Sequence, residues 1–404
     1  MLSRSLTSWF FEKIAKANAR SVDITSLSKL TVVIPSYVRH EYLLRSIVFW
    51  SDSPARVIIV DGSKKCLPLE VREAIGSLKN ILYLHQIDSI NKRLTSAAQH
   101  IKTEYAVMMC DDEFLLEHGL TVAVKRLDTN QDFVGCIGRS IKFNWKHGVG
   151  MQAGPSDYHH QDYAICQNFI GDRLEAAMED YKGATCYAVL RREVWVKAFS
   201  NIHDYSCPYA GEIQQGIITY SCGKLTSVNS LYWLRSLELD PIHDNKSFNR
   251  KLSFSAWWMN RKFVDEHAIF IERLTKELVL NGLTTNQEAQ KVLDSAIQIY
   301  LKFERQQRYK GRNGLQKFYV DFRLLVNKFL SRDTIDIINR FLGRRTDYSI
   351  QVDFDLGTLD GFLKENWGGS YGLNEALVDE LRSVENIIVQ FNQLKSSSNS
   401  GDLE

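Results

Sequence analysis

The chain has 404 residues, 44% hydrophobic and 24% charged, with only 6 prolines, which describes an ordered globular protein with ample core and excludes a low-complexity or disordered chain. A formal net charge of +2 lacks the basic excess of a general nucleic-acid binder, so no nucleic-acid partner is expected. No apolar run approaches the roughly 18 residues needed to span a bilayer.

In chain order, 1–27 opens with "MLSRSLTSWFFEKIAKANAR", which has no clean apolar core and no small-residue cleavage site, and so reads as an amphipathic helix rather than a signal peptide. From 28 to about 145, short apolar runs alternate with helical ones. "LTVVIP" (30–35) reads as a strand, Glu41 to Trp50 as a helix, and "RVIIVDG" (56–62) as a second strand. "LEVREAIGSL" (69–78) is a helix, "NILYLHQ" (80–86) a third strand, Arg93 to Ile101 a helix, and "EYAVMMC" (104–110) a fourth strand. Continuous apolar strands alternating with helices predict a mainly parallel, Rossmann-like sheet covered on both faces, with ligands beyond the strands' carboxyl ends. Ser36, Asp61 and the acids Asp111, Asp112 and Glu113 all fall at those ends.

From 146 to 250 the pattern is irregular and rich in Gly, aromatics and His, with a strand turning into a helix in "GATCYAVLRREVWVKAF" (183–199). Helical periodicity takes over at 253–281, 285–310, 315–330, 333–343 and 374–395, so 251–395 reads as a helical C-terminal domain and 396–404 as a disordered tail. Within it, 301–350 is basic and 351–404 acidic. Two readings stand: solvated faces that compensate each other, or a basic face for an anionic acceptor or membrane surface, with the acidic part folded over it or used in self-association. Seven dispersed cysteines without a C-x-x-C pair predict reduced thiols of a cytosolic protein. Asn245-Lys246-Ser247 matches a glycosylation triplet by chance on that reading.

The sequence has no G-x-G-x-x-G after a strand and no G-x-x-x-x-G-K-[ST], against a dinucleotide dehydrogenase or P-loop enzyme. H-E-x-x-H is also missing, against zincins. The strand-end acids remain. Hard oxygen ligands suit Mg²⁺ or Mn²⁺, which take one or two carboxylates plus substrate phosphates. Taken alone, Asp-Asp-Glu is weak evidence for a metal, because acidic turns are common.

Four stretches give that cluster a context. "LTVVIPSYVRHEYLLRSI", "VIIVDGS", "INKRLTSAAQHIKTEYAVMMCDDEF" and "GEIQQGIITYSCGKL" occur in the order found in family-2-like GT-A glycosyltransferases, which the chain resembles over about 30–245. The resemblance implies a GT-A domain over 28–250 and transfer of a sugar from a UDP-, GDP- or CMP-linked donor. The acceptor would be a hydroxyl of a glycan or lipid-linked glycan, with inversion, in bacterial surface polysaccharide synthesis at the inner face of the membrane. It implies that Pro35, Ser36, Tyr37 and Arg39 meet the nucleotide, that Asp61 accepts a hydrogen bond from base or ribose, and that Arg93 approaches base or phosphates. Asp111 and Glu113 would hold Mn²⁺ or Mg²⁺, with Asp112 on ribose or metal. Glu113 departs from the subgroup's usual Asp. Glu212 is the candidate general base, although an acid there also suits a helix N-terminus, and the second acid that often follows the base is replaced by Ile213. Arg235 is a candidate for phosphate and His243 for the metal shell. His159 and His160, with Tyr158, are weaker candidates for an acceptor pocket. Trp145, Trp233, Trp257 and Trp258 read as core packing before sugar stacking.

Two other functions remain open on the sequence. One is a degenerate module that binds nucleotide or glycan without turnover and serves assembly through its helices. The other is a nucleotidyltransferase, which would want a Gly-rich basic loop after the first strand where this chain has "PSYVRHEY".

Overall fold

The structure is a computed structural model that describes residues 2–17, 26–156, 162–239, 252–309, 352–367 and 371–400. Its frame is one sheet of strands β1 (Leu30–Ser36), β2 (Arg56–Asp61), β3 (Ile81–His85), β4 (Tyr105–Met108), β5 (Phe114–Leu115), β6 (Phe133–Lys146), β7 (Gly150–Pro155), β8 (Ala164–Ile165), β9 (Val189–Arg191), β10 (Lys224–Ser236) and β11 (Val352–Asp353). The order is β11-β7-β6-β9-β4-β1-β2-β3, and β10 pairs with β5, β6 and β8. The run β3-β2-β1-β4 is parallel, as the alternating apolar pattern predicts. Residues Leu30 to Ile34 of β1 and Val57 to Val60 of β2 are buried, because helices cover both faces. The remaining half is mixed. Strand β9 joins β4 and β6 antiparallel, and β10 runs parallel to β6.

Helices follow the predicted places with local adjustments. The helix expected from Glu41 starts at His40 (His40–Trp50), and the one expected from Arg93 starts at Ile90 (Ile90–Ala98). Ser89 sets that earlier start, because its side chain accepts a hydrogen bond from the Lys92 amide and caps the first turn. The N-terminal helix Arg4–Ala17 buries Leu6, Trp9, Phe10 and Ile14, and Trp9 donates Nε1 to Gln390 Oε1 at 3.0 Å. At roughly 1.5–3 kcal/mol per large apolar side chain, this contact holds the helix against the C-terminal helix Glu375–Ser400.

The described helices after residue 252 do not own a separate core. Phe254, Trp257, Phe270, Leu274 and Leu293 belong to the same buried cluster as β1 and β2. A second cluster sets Phe114, Ile141, Phe143 and Leu234 of the sheet against Phe362, Leu363, Leu381 and Ile388. The expectation of a disordered tail over 396–404 is corrected in part. The last helix continues to Ser400, and Ser396 Oγ donates to the Asn392 carbonyl, extending the ladder. Among the described residues no helix is long and apolar enough to cross a membrane, and all seven cysteines are free thiols. The expected helices 315–330 and 333–343, the triplet at 245–247, His243 and residues 158–160 lie outside the described residues.

Candidate active site at the carboxyl ends of the parallel strands

Parallel pairing brings Ser36, Asp61 and His85 into register at one edge of the sheet. Each residue of Asp61-Gly62-Ser63 then has a distinct physical task. Asp61 is fully buried and accepts from His40 Nε2 at 2.9 Å, Tyr83 Oη at 2.6 Å and the Ser63 amide at 2.9 Å. Burial alone would raise its pKa, but the hydrogen bonds from His40, Ser63 and Tyr83 outweigh that and hold it at about 2. Gly62 leaves room for the Arg93 guanidinium, which would stand 2.6 Å from any Cβ there. Arg93 Nη1 donates to the carbonyls of Ser36 at 2.7 Å and Val60 at 2.8 Å, tying the ends of β1 and β2 together. Ser63 Oγ accepts from the Val38 amide at 2.8 Å and helps hold Val38 at φ 59°, a costly conformation for a β-branched residue.

The acids sit one strand away. Ser36 Oγ donates to Asp111 Oδ2 at 2.6 Å. Arg39 Nη1 lies 3.0 Å from Asp112 Oδ2 and 3.6 Å from Asp111 Oδ1. Glu113 Oε2 accepts from Trp233 Nε1 at 2.9 Å and feels the positive charge of Arg235. All three acids are at least nine-tenths buried. Burial, reinforced by the neighbouring Asp112 charge, pushes Asp111 up to about 7 and Glu113 up to about 8, and burial also raises Asp112. Burial therefore favours the protonated, neutral forms of these carboxyls, and Arg39 and Arg235 offset it only in part.

The facing wall is the helix Pro208–Cys222, started by Pro208 in its first turn. Glu212 lies near its start and opens onto the cavity, yet burial pushes its carboxyl up to about 7, offset in part by Tyr181. Its Oε1 would stand 2.6 Å from a Cβ at residue 183, so Gly183 makes the space for the carboxylate. A cavity of about 520 Å³ joins the two walls. Pro35, Ser36, Tyr37, Arg39, Arg93, Asp111, Asp112, Glu113, Glu212 and Arg235 all line it. Asp61 does not, and its oxygens are engaged in holding the loop beneath.

A divalent ion is the expectation at this place. The donor chemistry fits one: three carboxyl groups with hard oxygens line one cavity. Among the described residues, however, no three His, Cys, Asp or Glu side chains converge as a metal-holding group. Their oxygens turn instead to Ser36, Arg39 and Trp233.

Some functional neighbours carry too little signal to be found in the sequence. Arg45, buried within the helix behind the acids, donates to the Asp112 carbonyl at 2.7 Å and to Glu238 Oε2 at 2.6 Å. Asn392 of the last helix donates to Glu238 Oε1 at 3.1 Å, so that helix reaches the back of the site. A charged residue inside "YLLRSIVFW" is the available signal for Arg45, whereas nothing local marks Glu238. Trp257 is core, with its Nε1 on Glu266, while Trp233 is both core and cavity wall.

No family model and no curated protein matches the chain. Among solved structures the chain is similar to S. aureus TarS 1–349, at 13% identity over 69% of this chain and 91% of that one, with a TM-score of 0.40. It is also similar to the same S. aureus TarS fragment in complex with UDP-GlcNAc, at 12% identity over 70% of this chain and 93% of that one, with a TM-score of 0.42. Likeness at this level carries no argument about substrate, and the chemistry of the site is read from the cavity alone.

Proposed function

We propose that the protein is a nucleotide-sugar-dependent glycosyltransferase that works by a single inverting displacement. One observation carries this reading. Residues from four separate stretches, at 35–39, 93, 111–113 and 212–235, meet in one cavity at the carboxyl ends of parallel strands. The cavity has a cation-rich, acid-rich wall suited to a nucleoside diphosphate and a facing wall with one carboxylate whose pKa is lifted to about 7.

In this reading Tyr37 and the β1 end hold the nucleoside, while Arg39 and Arg235 offer guanidinium donors to the diphosphate. Asp111 and Glu113 would hold a Mn²⁺ or Mg²⁺ ion, with Asp112 beside them, and the ion would supply charge neutralisation for the departing diphosphate. Glu212 accepts the proton of the acceptor hydroxyl as its oxygen bonds to the anomeric carbon. The bond from that carbon to the diphosphate oxygen breaks on the opposite face, and the nucleoside diphosphate leaves with the electron pair. A base of pKa near 7 matches this task at neutral pH. Arg93 and Asp61 serve the site by fixing the strand ends and the Ser36–Arg39 loop. The acceptor is proposed to be a hydroxyl of a glycan or lipid-linked glycan, as in bacterial surface polysaccharide synthesis.

The test is release of UDP, GDP or CMP from a panel of UDP-, GDP- and CMP-linked sugars, with Mn²⁺ and with EDTA. Turnover of at least one donor, lost in Glu212→Gln, supports the reading. Binding of nucleotide without turnover of any donor points to a non-catalytic module instead.

A further inference from the structure

Gln215 sits one turn beyond Glu212 on the same face of the helix Pro208–Cys222, and it lines the same cavity. It is 2% exposed, and its Oε1 has no hydrogen-bond partner. The orientation of its amide is fixed by its neighbours. Thr219 Oγ1 donates its proton to the Gln215 backbone carbonyl at 2.9 Å, so it is left to accept from Gln215 Nε2, also at 2.9 Å. The amide nitrogen therefore faces Thr219, and the orphan is an acceptor oxygen. The adjacent Gln214 shows the usual outcome for such a group: its Oε1 accepts from Tyr205 Oη at 2.6 Å, and its Nε2 donates to the Asn201 carbonyl at 3.4 Å. The large majority of buried polar groups are satisfied, and leaving one unpaired carries a desolvation cost that a bound donor would remove.

We propose that Gln215 Oε1 receives a hydrogen bond from a hydroxyl of the acceptor that neighbours the hydroxyl deprotonated by Glu212. Gln215 is then a positioning and specificity residue for acceptors carrying at least two nearby hydroxyls, and a lone alcohol leaves its oxygen unpaired. This inference rests on the glycosyltransferase reading. Gln215 turns the second hydroxyl so that the first points at Glu212 and at the anomeric carbon, and it takes no proton itself.

The experiment measures release of the nucleotide leaving group from the donor that wild type turns over. Wild type and Gln215→Met are compared with water alone, 1-propanol, glycerol and methyl α-glucopyranoside as acceptors. The expected result is faster release with at least one of the two polyols than with propanol or water. Gln215→Met should lose roughly 10- to 100-fold in kcat/KM for that polyol. Its donor KM and its release to water should stay within about twofold of wild type, and its Tm should change little, because the lost Nε2–Thr219 hydrogen bond and the removed unsatisfied oxygen act in opposite directions. Polyols no better than propanol overturn the inference, as does wild-type polyol kinetics in Gln215→Met. A variant that loses Tm, donor KM and water release together assigns Gln215 a structural role, which also overturns it. Wild type inert toward every donor is a different failure, since there the glycosyltransferase reading falls and takes the inference with it.

Discussion

Replacing Glu212 with Gln should make the protein slower and more stable at once. The carboxyl's pKa stands at about 7 in the folded chain against an ordinary 4.5, chiefly because burial disfavours its charged form. A folded-state value above the unfolded one means that the fold prefers the protonated acid. Stability is therefore lost as pH climbs from about 4.5 through 7, and the loss is complete above that window. The shift corresponds to about 3 kcal/mol. Because the carboxyl opens onto a cavity instead of dry core, a gain of about 1–3 kcal/mol is expected from Glu212→Gln at pH 8, or about 1–4 °C in Tm for a chain of this size. The gain should vanish below a pH of about 4.5. Removing a general base should at the same time lower kcat by roughly 10²–10⁴-fold. In wild type, kcat should rise with pH through about 7 as the base loses its proton. Thermal melts across pH and a pH–rate profile check both halves. Wild-type turnover in Glu212→Gln would refute the mechanism. A lowered Tm at pH 8 would refute the electrostatic account of this side chain.

Gly183→Ala places a Cβ 2.6 Å from Glu212 Oε1 and should displace the base, lowering kcat by roughly tenfold or more with little change in donor KM, as read by steady-state kinetics. Arg45→Ala leaves Glu238 buried without its ion-pair partner and should cost about 3–5 kcal/mol in urea unfolding, whereas distant surface substitutions stay within about 0.5 kcal/mol. With EDTA present, nucleotide affinity should fall at least tenfold, and Asp111→Asn/Glu113→Gln should show that low affinity whether or not Mn²⁺ is added, as followed by calorimetry.

The parallel half of the fold is legible because β1, β2 and β4 are buried on both faces, and such strands must be written as unbroken apolar runs. The acids at 111–113 are legible for a related reason, since charge directly after a buried strand lands at the sheet's ligand-binding edge. Local spacing does not encode what the chain brings back from a distance. Arg45 and Glu238 are 193 residues apart yet 2.6 Å apart in space. The strand expected ahead of a helix in 183–199 is β9, three residues long, but nothing in the pattern marks its antiparallel pairing with β4 and β6. Arg93 shows how much residue type leaves open. A guanidinium in that motif suggests base or phosphate, and Arg93 does line the cavity, but it donates to strand-end carbonyls that only folding assembles. Gln215 carries no signal at all, because an amide next to another amide is unremarked until one is satisfied and the other is not.

The most direct test of the central claim is calorimetric titration of UDP, GDP and CMP into the wild-type chain with Mn²⁺ present. One nucleotide is predicted to bind at a single site per chain, and Arg39→Ala should weaken it by roughly tenfold or more. Absence of binding by all three nucleotides would contradict the claim that this cavity is a nucleotide-sugar site.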